Sequence, residues 1–404
     1  MRLPFRRLTS IFFLCIAILL VACQAGGCVT RTPTPEATEM PKPTPGATPQ
    51  AAPSRQVHPY IPVFGSFPPK PVPARPANIN PLTGLPADPA LLQRRPLLVR
   101  IGNDARVRSS FWQAGTASAD LVFEELIDQI GDQYTNTRLT AVFLSKDAPL
   151  VGPVRSGRLI NLQLVPMFDG AVAHAGASDG VRWIFSQAQV LDLDEFFNMP
   201  AYCYNNPHGY IGRLYTTLPR LREWIAQKEL EKPVSLYGFT FSDIPPQGSR
   251  VNSIGITRAP WPKWSAVEWR YDPNRREYLR VVEGDPLVDN SHSVTAKWGN
   301  GADCVATSKE TRTYVTAANV VVLYAKHERT DIIEDANNAL SVYIKLIGRG
   351  EADIFRDGIH IRGKWQRNSA QEFFEFVDGA GNVIPLKPGK TWFEIVPIGF
   401  NLDI

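Results

Sequence analysis

Hydrophobic and polar positions divide this chain of 404 residues into three textures. Near the start, residues 11–21 form an apolar run broken only by Cys15. At about 11 residues it falls well short of the roughly 20 a helix needs to span a bilayer. Residues 29–77 follow a different pattern: Pro33, Pro35, Pro41, Pro43, Pro45, Pro49 and Pro53 punctuate Thr, Ala and Glu, and more prolines follow from Pro59 to Pro76. From about residue 80 onward the chain reads as a folded body, opened by the turn-like Asn80-Pro81-Leu82-Thr83-Gly84-Leu85. Residues 97–101, 121–123, 139–144 and 170–173 are short apolar runs that predict buried strands. Residues 159–167, 181–188 and 218–229 place apolar side chains at helical spacing. Strands alternating with helices predict an α/β layered domain over residues 78–232.

After Pro233 the texture changes. Runs rich in Val, Ile, Tyr and Trp follow one another at 235–242, 267–271, 278–282, 319–324, 341–347, 358–365, 372–377 and 392–398. Asp272-Pro273-Asn274 supplies hairpin-turn chemistry between two of them, and Asp378-Gly379 and Pro388-Gly389 mark further turns. Residues 233–404 are therefore expected to form a mainly-β domain. The fold class predicted is α+β, an N-terminal α/β layered domain followed by a C-terminal β-rich one.

The flanks of the first apolar run give it a meaning. Arg2, Arg6 and Arg7 precede it, and Leu20-Val21-Ala22-Cys23 closes it. That is the anatomy of a bacterial lipoprotein signal, cleaved before Cys23 once its thiol carries a lipid. Residues 1–22 are thus read as a signal peptide, and residues 23–77 as a lipidated cysteine and a proline-rich tether. The expected location is extracytoplasmic, with Cys23 and its acyl chains, palmitate among them, anchored in the bacterial cell membrane. Proline favours the extended polyproline conformation, so at about 3.1 Å per residue the tether could reach on the order of 100 Å. Within it, residues 57–67 are apolar enough for their end to pack on the body.

Charge narrows the partners. The leader holds three basic residues and no acid, so the mature chain is close to neutral and lacks the basic stripe of a nucleic-acid binder. No Cys/His spacing resembles a zinc site, and no metal or cofactor is expected. Outside the cytoplasm Cys203 and Cys304 could form a disulfide. Two isolated cysteines without a spacing pattern read more simply as buried thiols.

The body resembles the YerB-like lipoproteins, whose two-part body has no assigned function. The resemblance rests on Asn80-Pro81-Leu82-Thr83-Gly84-Leu85, Ala105-Arg106, Ala119-Asp120 with Glu124, and Thr137-Arg138. Its most specific piece is Gly152-Pro153-Val154-Arg155-Ser156-Gly157-Arg158, followed by His174-Ala175-Gly176-Ala177-Ser178 and Pro207-His208, with Leu386-Lys387-Pro388-Gly389-Lys390-Thr391-Trp392 near the end. Residues 127–136 replace a shorter glycine pair, Gly157 stands where the family usually has Ala, and Gly209 where it has Asn. The resemblance implies an envelope location and a two-domain body, and no particular reaction.

Several polar groups could carry chemistry. Arg155, Ser156 and Arg158 follow a turn and precede a predicted helix, whose start would offer free N–H groups to an anion. With Arg138 and Arg106 they could line a pocket for phosphate or carboxylate, since guanidinium forks bind both bidentately. The competing structural reading pairs these arginines with Asp120, Glu124 and Glu125. Gly176-Ala177-Ser178-Asp179-Gly180 matches the nucleophile elbow of serine hydrolases. Ser178 would attack, His208 would serve as base and Asp192 or Asp194 would orient it; the bland alternative is a turn whose serine caps the next helix. His174 at a strand end could bind a hydroxyl or move a proton. Asp192-Leu193-Asp194-Glu195 reads as a helix start. Trp261, Trp264, Trp269, Trp298, Trp365 and Trp392 read mainly as core, with sugar stacking the alternative.

The leading reading is therefore a non-catalytic binder of an anionic envelope component or an envelope partner protein. Arg138, Arg155, Ser156, Arg158, His174 and Ser178 would form the pocket. Behind it stand a serine hydrolase using Ser178, with His174 or His208 assisting, and a phosphoglycan transferase or hydrolase acting on a polyprenyl phosphate or envelope glycan through an arginine-lined pocket.

Overall fold

In the computed structural model, the structure describes residues 58–62, 74–305 and 313–404. The signal segment, Cys23 and most of the tether lie outside the described residues. The principal sheet contains β1 (Leu97–Gly102), β2 (Leu121–Leu126), β3 (Thr137–Phe143), β4 (Ala171–His174) and β5 (Leu191–Asp194) from the first half of the body. From the second half come β6 (Ser249–Arg250), β7 (Asn319–Ile333), β8 (Gly348–Arg356), β9 (Ile359–Arg367) and β10 (Thr391–Pro397). Their spatial order is β6-β9-β8-β7-β10-β2-β3-β1-β4-β5, within a sheet of 14 strands.

The C-terminal strand β10 lies between the two halves, parallel both to β2 and to β7. Its residues Trp392, Phe393 and Ile395 are fully buried. β1, β4 and β5 run parallel at one side of the sheet, whereas β1–β3 and β3–β2 are antiparallel. All residues of β1, β2 and β3 are buried, as expected when both faces are covered. One face carries α1 (Asn161–Phe168) and α2 (Asp179–Gln187) against a core that includes Phe123, Phe168, Phe185 and Phe393. On the other face, α3 (Leu218–Gln227) and a smaller sheet containing Ser253–Ile256, Val267–Asp272 and Glu277–Val282 cover a core that includes Trp269 and Trp392.

Three departures from the sequence pattern have physical causes. Residues 235–242 form no ladder strand. Leu236 and Phe239 are apolar because they enter the core, while Phe239 N–H bonds to Pro81 O and Ser242 N–H to Leu386 O. Asp192-Leu193-Asp194 belongs to β5 at the sheet edge rather than to a helix start. Cys203 and Cys304 form a disulfide across 101 positions of sequence, where isolated thiols were the simpler expectation. The tether's packing on the body is seen at its described part: Ile61 enters the core, and the Tyr60 and Tyr343 rings lie 4.9 Å apart.

Candidate anion-binding site

Residues 154–157 form the backbone hub around which the candidate residues gather. Arg155 N–H bonds to Arg100 O at the end of β1, Val154 N–H to Leu214 O, Ala175 N–H to Arg155 O and Gly157 N–H to Gly176 O. The hub therefore draws together the ends of β1 and β4 and the segment carrying His208. β3 brings Arg138 alongside, because Arg138 is the register partner of both Gly102 and Glu125. Gly157 is pressed against His174: a Cβ there would meet the imidazole Nδ1 at 3.1 Å.

Four arginines crowd this corner, and only two have carboxylate partners. Arg100 is fully buried and bonds Glu125 Oε1 at 2.5 Å and Thr140 Oγ1 at 2.6 Å. Arg158 donates to Asp128 at 2.9 and 3.2 Å and lies 3.5 Å from Glu334; burial disfavours its charge, but these carboxylates outweigh it and raise its pKa. Among the described residues Arg138 and Arg155 make no ion pair. Arg138 is 3% exposed, and among the described residues its one side-chain hydrogen bond runs from Nη1 to Ser156 O at 3.4 Å. Burial first, then Arg158 and Arg155, pull its pKa down to about 9. Its Nε, the Nε of Arg155 and Nη2 of Arg100 are buried without a partner, as are Glu125 Oε2 and Asp104 Oδ2. Burial pushes the Glu125 carboxyl up to about 7.

Arg155 is half-exposed and leans on the next loop, donating to Tyr210 O at 3.3 Å with its guanidinium 5.1 Å from the Tyr210 ring. Tyr210 is 74% exposed and also has Arg213 beside it. His208 stacks on Trp112 at 4.2 Å, with Arg106 5.5 Å from the Trp112 ring centre. Burial lowers the His208 pKa. The cluster thus opens toward a surface of guanidiniums and aromatic rings. Tyr210, Arg213 and Trp112 escaped the sequence reading, although an exposed-type aromatic directly after Pro207-His208-Gly209 was a signal. Arg100 was visible as a lone cation inside the apolar run of β1.

Other candidates take different places. His174 is buried, with Nδ1 2.8 Å from Gly176 O and Nε2 2.6 Å from Asp192 Oδ1. Asp194 accepts from Gly176 N–H, Phe196 N–H and Arg182 Nε, so both acids of this segment serve local structure. Ser178 has the backbone of an N-cap but makes no capping bond, and its Oγ is buried without a partner. No described hydrogen bond joins Ser178 to either histidine: His208 Nδ1 faces Gly212 O and Tyr215 Oη, both at 3.2 Å. At the helix start after Arg158, four N–H groups already have partners. Asn161, Leu162 and Gln163 donate to carbonyls three residues back, and Arg158 N–H is taken by Asn161 Oδ1. Asp120 and Glu124, expected as arginine partners, do other work. Asp120 accepts from Asn80 and Ser145, and Glu124 pairs with Arg280.

Family models for "Protein of unknown function (DUF3048)" match twice, the N-terminal domain over residues 82–231 and the C-terminal domain over residues 257–393. The chain belongs to the DUF3048 family. It is 27% identical over 325 residues to "Putative lipoprotein YerB" of Bacillus subtilis, a match covering 78% of this chain and 86% of that protein. The crystal structure of YerB from Bacillus subtilis superposes with a TM-score of 0.61 at 24% identity, covering 80% of this chain and 99% of that one. At that identity the superposition shows a shared fold. Among the described residues of this DUF3048 chain, no helix is long and apolar enough to cross a membrane, and no group of three or more His, Cys, Asp or Glu side chains is placed to hold a metal ion.

Proposed function

We propose that this protein is anchored outside the cytoplasm by lipid on Cys23 and binds an anionic envelope component through Arg138 and Arg155. The observation that carries the reading is Arg138: a buried guanidinium that makes no ion pair among the described residues, beside two further arginines whose side chains also keep unpartnered N–H groups. An unpaired buried charge is costly, and a phosphate or carboxylate entering beside Arg155 would offset that cost with charge-assisted bonds. The aromatic and basic surface of Tyr210, Arg213, Trp112 and Arg106 suits a polyprenyl phosphate or an anionic glycan larger than the phosphate itself. The relative's name supports the anchor, and the sequence around Cys23 supports the lipid site.

Two measurements test this. Calorimetric titration of the full chain with pyrophosphate and with a polyprenyl phosphate in micelles should show saturable binding. Arg138→Met and Arg155→Ala should weaken it at least about tenfold, the equivalent of about 1.4 kcal/mol, with the unfolding transition intact. If both variants bind like the wild type, the arginine site is wrong. Binding of neither probe, alongside capture of a defined envelope protein through Arg155, would favour the partner-protein reading. Separately, Cys23→Ser should move the protein from the membrane to the soluble fraction, and a protein that stays membrane-bound would refute the anchor.

A further inference from the structure

A cavity outside the arginine cluster shares no lining residue with it. It has a volume of about 730 Å³ and lies between the 199–223 region and a turn at Trp298–Asn300. That size falls within the range of small-molecule sites, roughly 300–1,000 Å³. Ring surfaces from Trp298, Tyr204 and Tyr202 line it together with Arg220, Glu223 and Asn300.

The walls are rigidly held. Trp298 opens a tight turn closed by Trp298 N–H to Ala302 O and Gly301 N–H to Trp298 O. The segment leading into it exchanges both backbone bonds with Tyr204 through Lys297. The Cys203–Cys304 disulfide ties the same two segments together, and the Tyr204 hydroxyl is bound to Glu195 at 2.5 Å. The aromatic platform is therefore fixed before any ligand arrives, which lowers the entropic cost of binding.

Its charge is balanced internally. Arg220 and Glu223 pair at 2.7 Å, and the Arg220 guanidinium also lies 5.9 Å from the Trp298 ring centre. An ionic ligand would have to break that pair, whereas a polyhydroxylated neutral ligand can donate to Glu223 and accept from Arg220 while it is intact. A flat aromatic face beside paired donors and acceptors matches the two sides of a sugar ring, apolar C–H groups on one and hydroxyls around the edge. From this geometry we infer that the cavity is a binding site for a neutral oligosaccharide, with Trp298 as the stacking platform and Arg220 and Glu223 as the hydroxyl-reading pair.

The test is titration of the full chain with chitotetraose and with cellotetraose, followed by tryptophan fluorescence and calorimetry. Saturable binding of at least one is expected. It should be about tenfold weaker in Trp298→Ala, partly restored in Trp298→Phe, and weaker in Glu223→Ala, a substitution on the exposed face of α3 that leaves the core untouched. Arg138→Met should bind either saccharide as the wild type does, which separates this site from the anion site. Absence of saturable binding by both saccharides, or binding unchanged in both Trp298→Ala and Glu223→Ala, would overturn the inference.

Discussion

Glu124 and Glu394 lie side by side in the parallel ladder between β2 and β10, both without solvent exposure, and Arg280 from the second sheet reaches both. Arg280 bonds Glu124 Oε2 at 2.6 Å and Glu394 Oε1 at 3.0 Å, and its guanidinium lies 4.4 Å from the Trp392 ring centre. Glu124 also accepts from Asn103 and Thr137, and Glu394 from Trp269. One cation thus joins the first half of the body, the C-terminal strand and the small sheet.

Arg280→Met should lower the free energy of unfolding by about 3–5 kcal/mol, because it leaves the buried Glu124 carboxylate without its counter-charge and takes a hydrogen-bond donor from the adjacent Glu394 carboxyl. Urea unfolding followed by tryptophan fluorescence measures it. A loss below about 1 kcal/mol would mean that the pair of carboxylates is carried by its neutral hydrogen-bond donors.

The same pair makes stability depend on pH. Burial, then the adjacent Glu124, push the Glu394 carboxyl up to about 8 from an ordinary value of 4.5, against the pull of Arg280. A raised carboxyl holds its proton better in the folded state, so its contribution is fully present below pH 4.5 and is lost as pH climbs through about 8. The free energy of unfolding should therefore fall across that window by an amount on the order of a few kcal/mol, and Glu394→Gln should flatten the fall. An identical slope in the variant would assign the titration elsewhere.

Arg158 and Arg138 should respond in opposite directions to the same substitution. Arg158→Met strands Asp128 and Glu334, at a cost of about 3 kcal/mol, the lower end for a buried pair because Arg158 and Asp128 keep some solvent contact. Arg138→Met removes an unpaired buried charge and should leave the protein as stable as the wild type or more so. Thermal unfolding of the two variants decides it, and equal destabilisation would place Arg138 in the structural framework.

Removing the disulfide should cost about 2–5 kcal/mol, as expected for a loop on the order of 100 residues. Cys304→Ser, on the half-exposed side of the bridge, should unfold at lower urea than the wild type. Dithiothreitol should shift the wild type to meet it and leave the variant unmoved. A reductant-insensitive wild type would argue that the thiols are not linked.

The local pattern carried most of the element reading. β1, β2, β3 and β4 and the three helices stand within a few residues of the apolar runs that predicted them, because burial imposes a period on short segments. The same logic misread residues 235–242, where apolar side chains serve the core without a ladder, and Asp192-Leu193-Asp194, where acids at an edge strand look like acids at a helix start. At the candidate site the sequence named Arg138, Arg155 and Arg158 alike. Which of them finds a carboxylate depends on Asp128 and on Glu334, the latter just past the end of β7 and far away in sequence.

By itself, then, the sequence determined the proline-rich composition of residues 29–77, the α+β succession of elements and membership of the DUF3048 family, since each is written in local composition or contiguous motifs. Only the tertiary structure decided that β10 lies between the two halves, that Cys203 meets Cys304, that Arg158 is paired while Arg138 is not, and that Trp298 and Arg220 line one cavity. Strand order and register bring together residues separated by tens to hundreds of positions. Whether a charge or ring is spent on the fold or left free for a ligand depends on those neighbours rather than on its own segment.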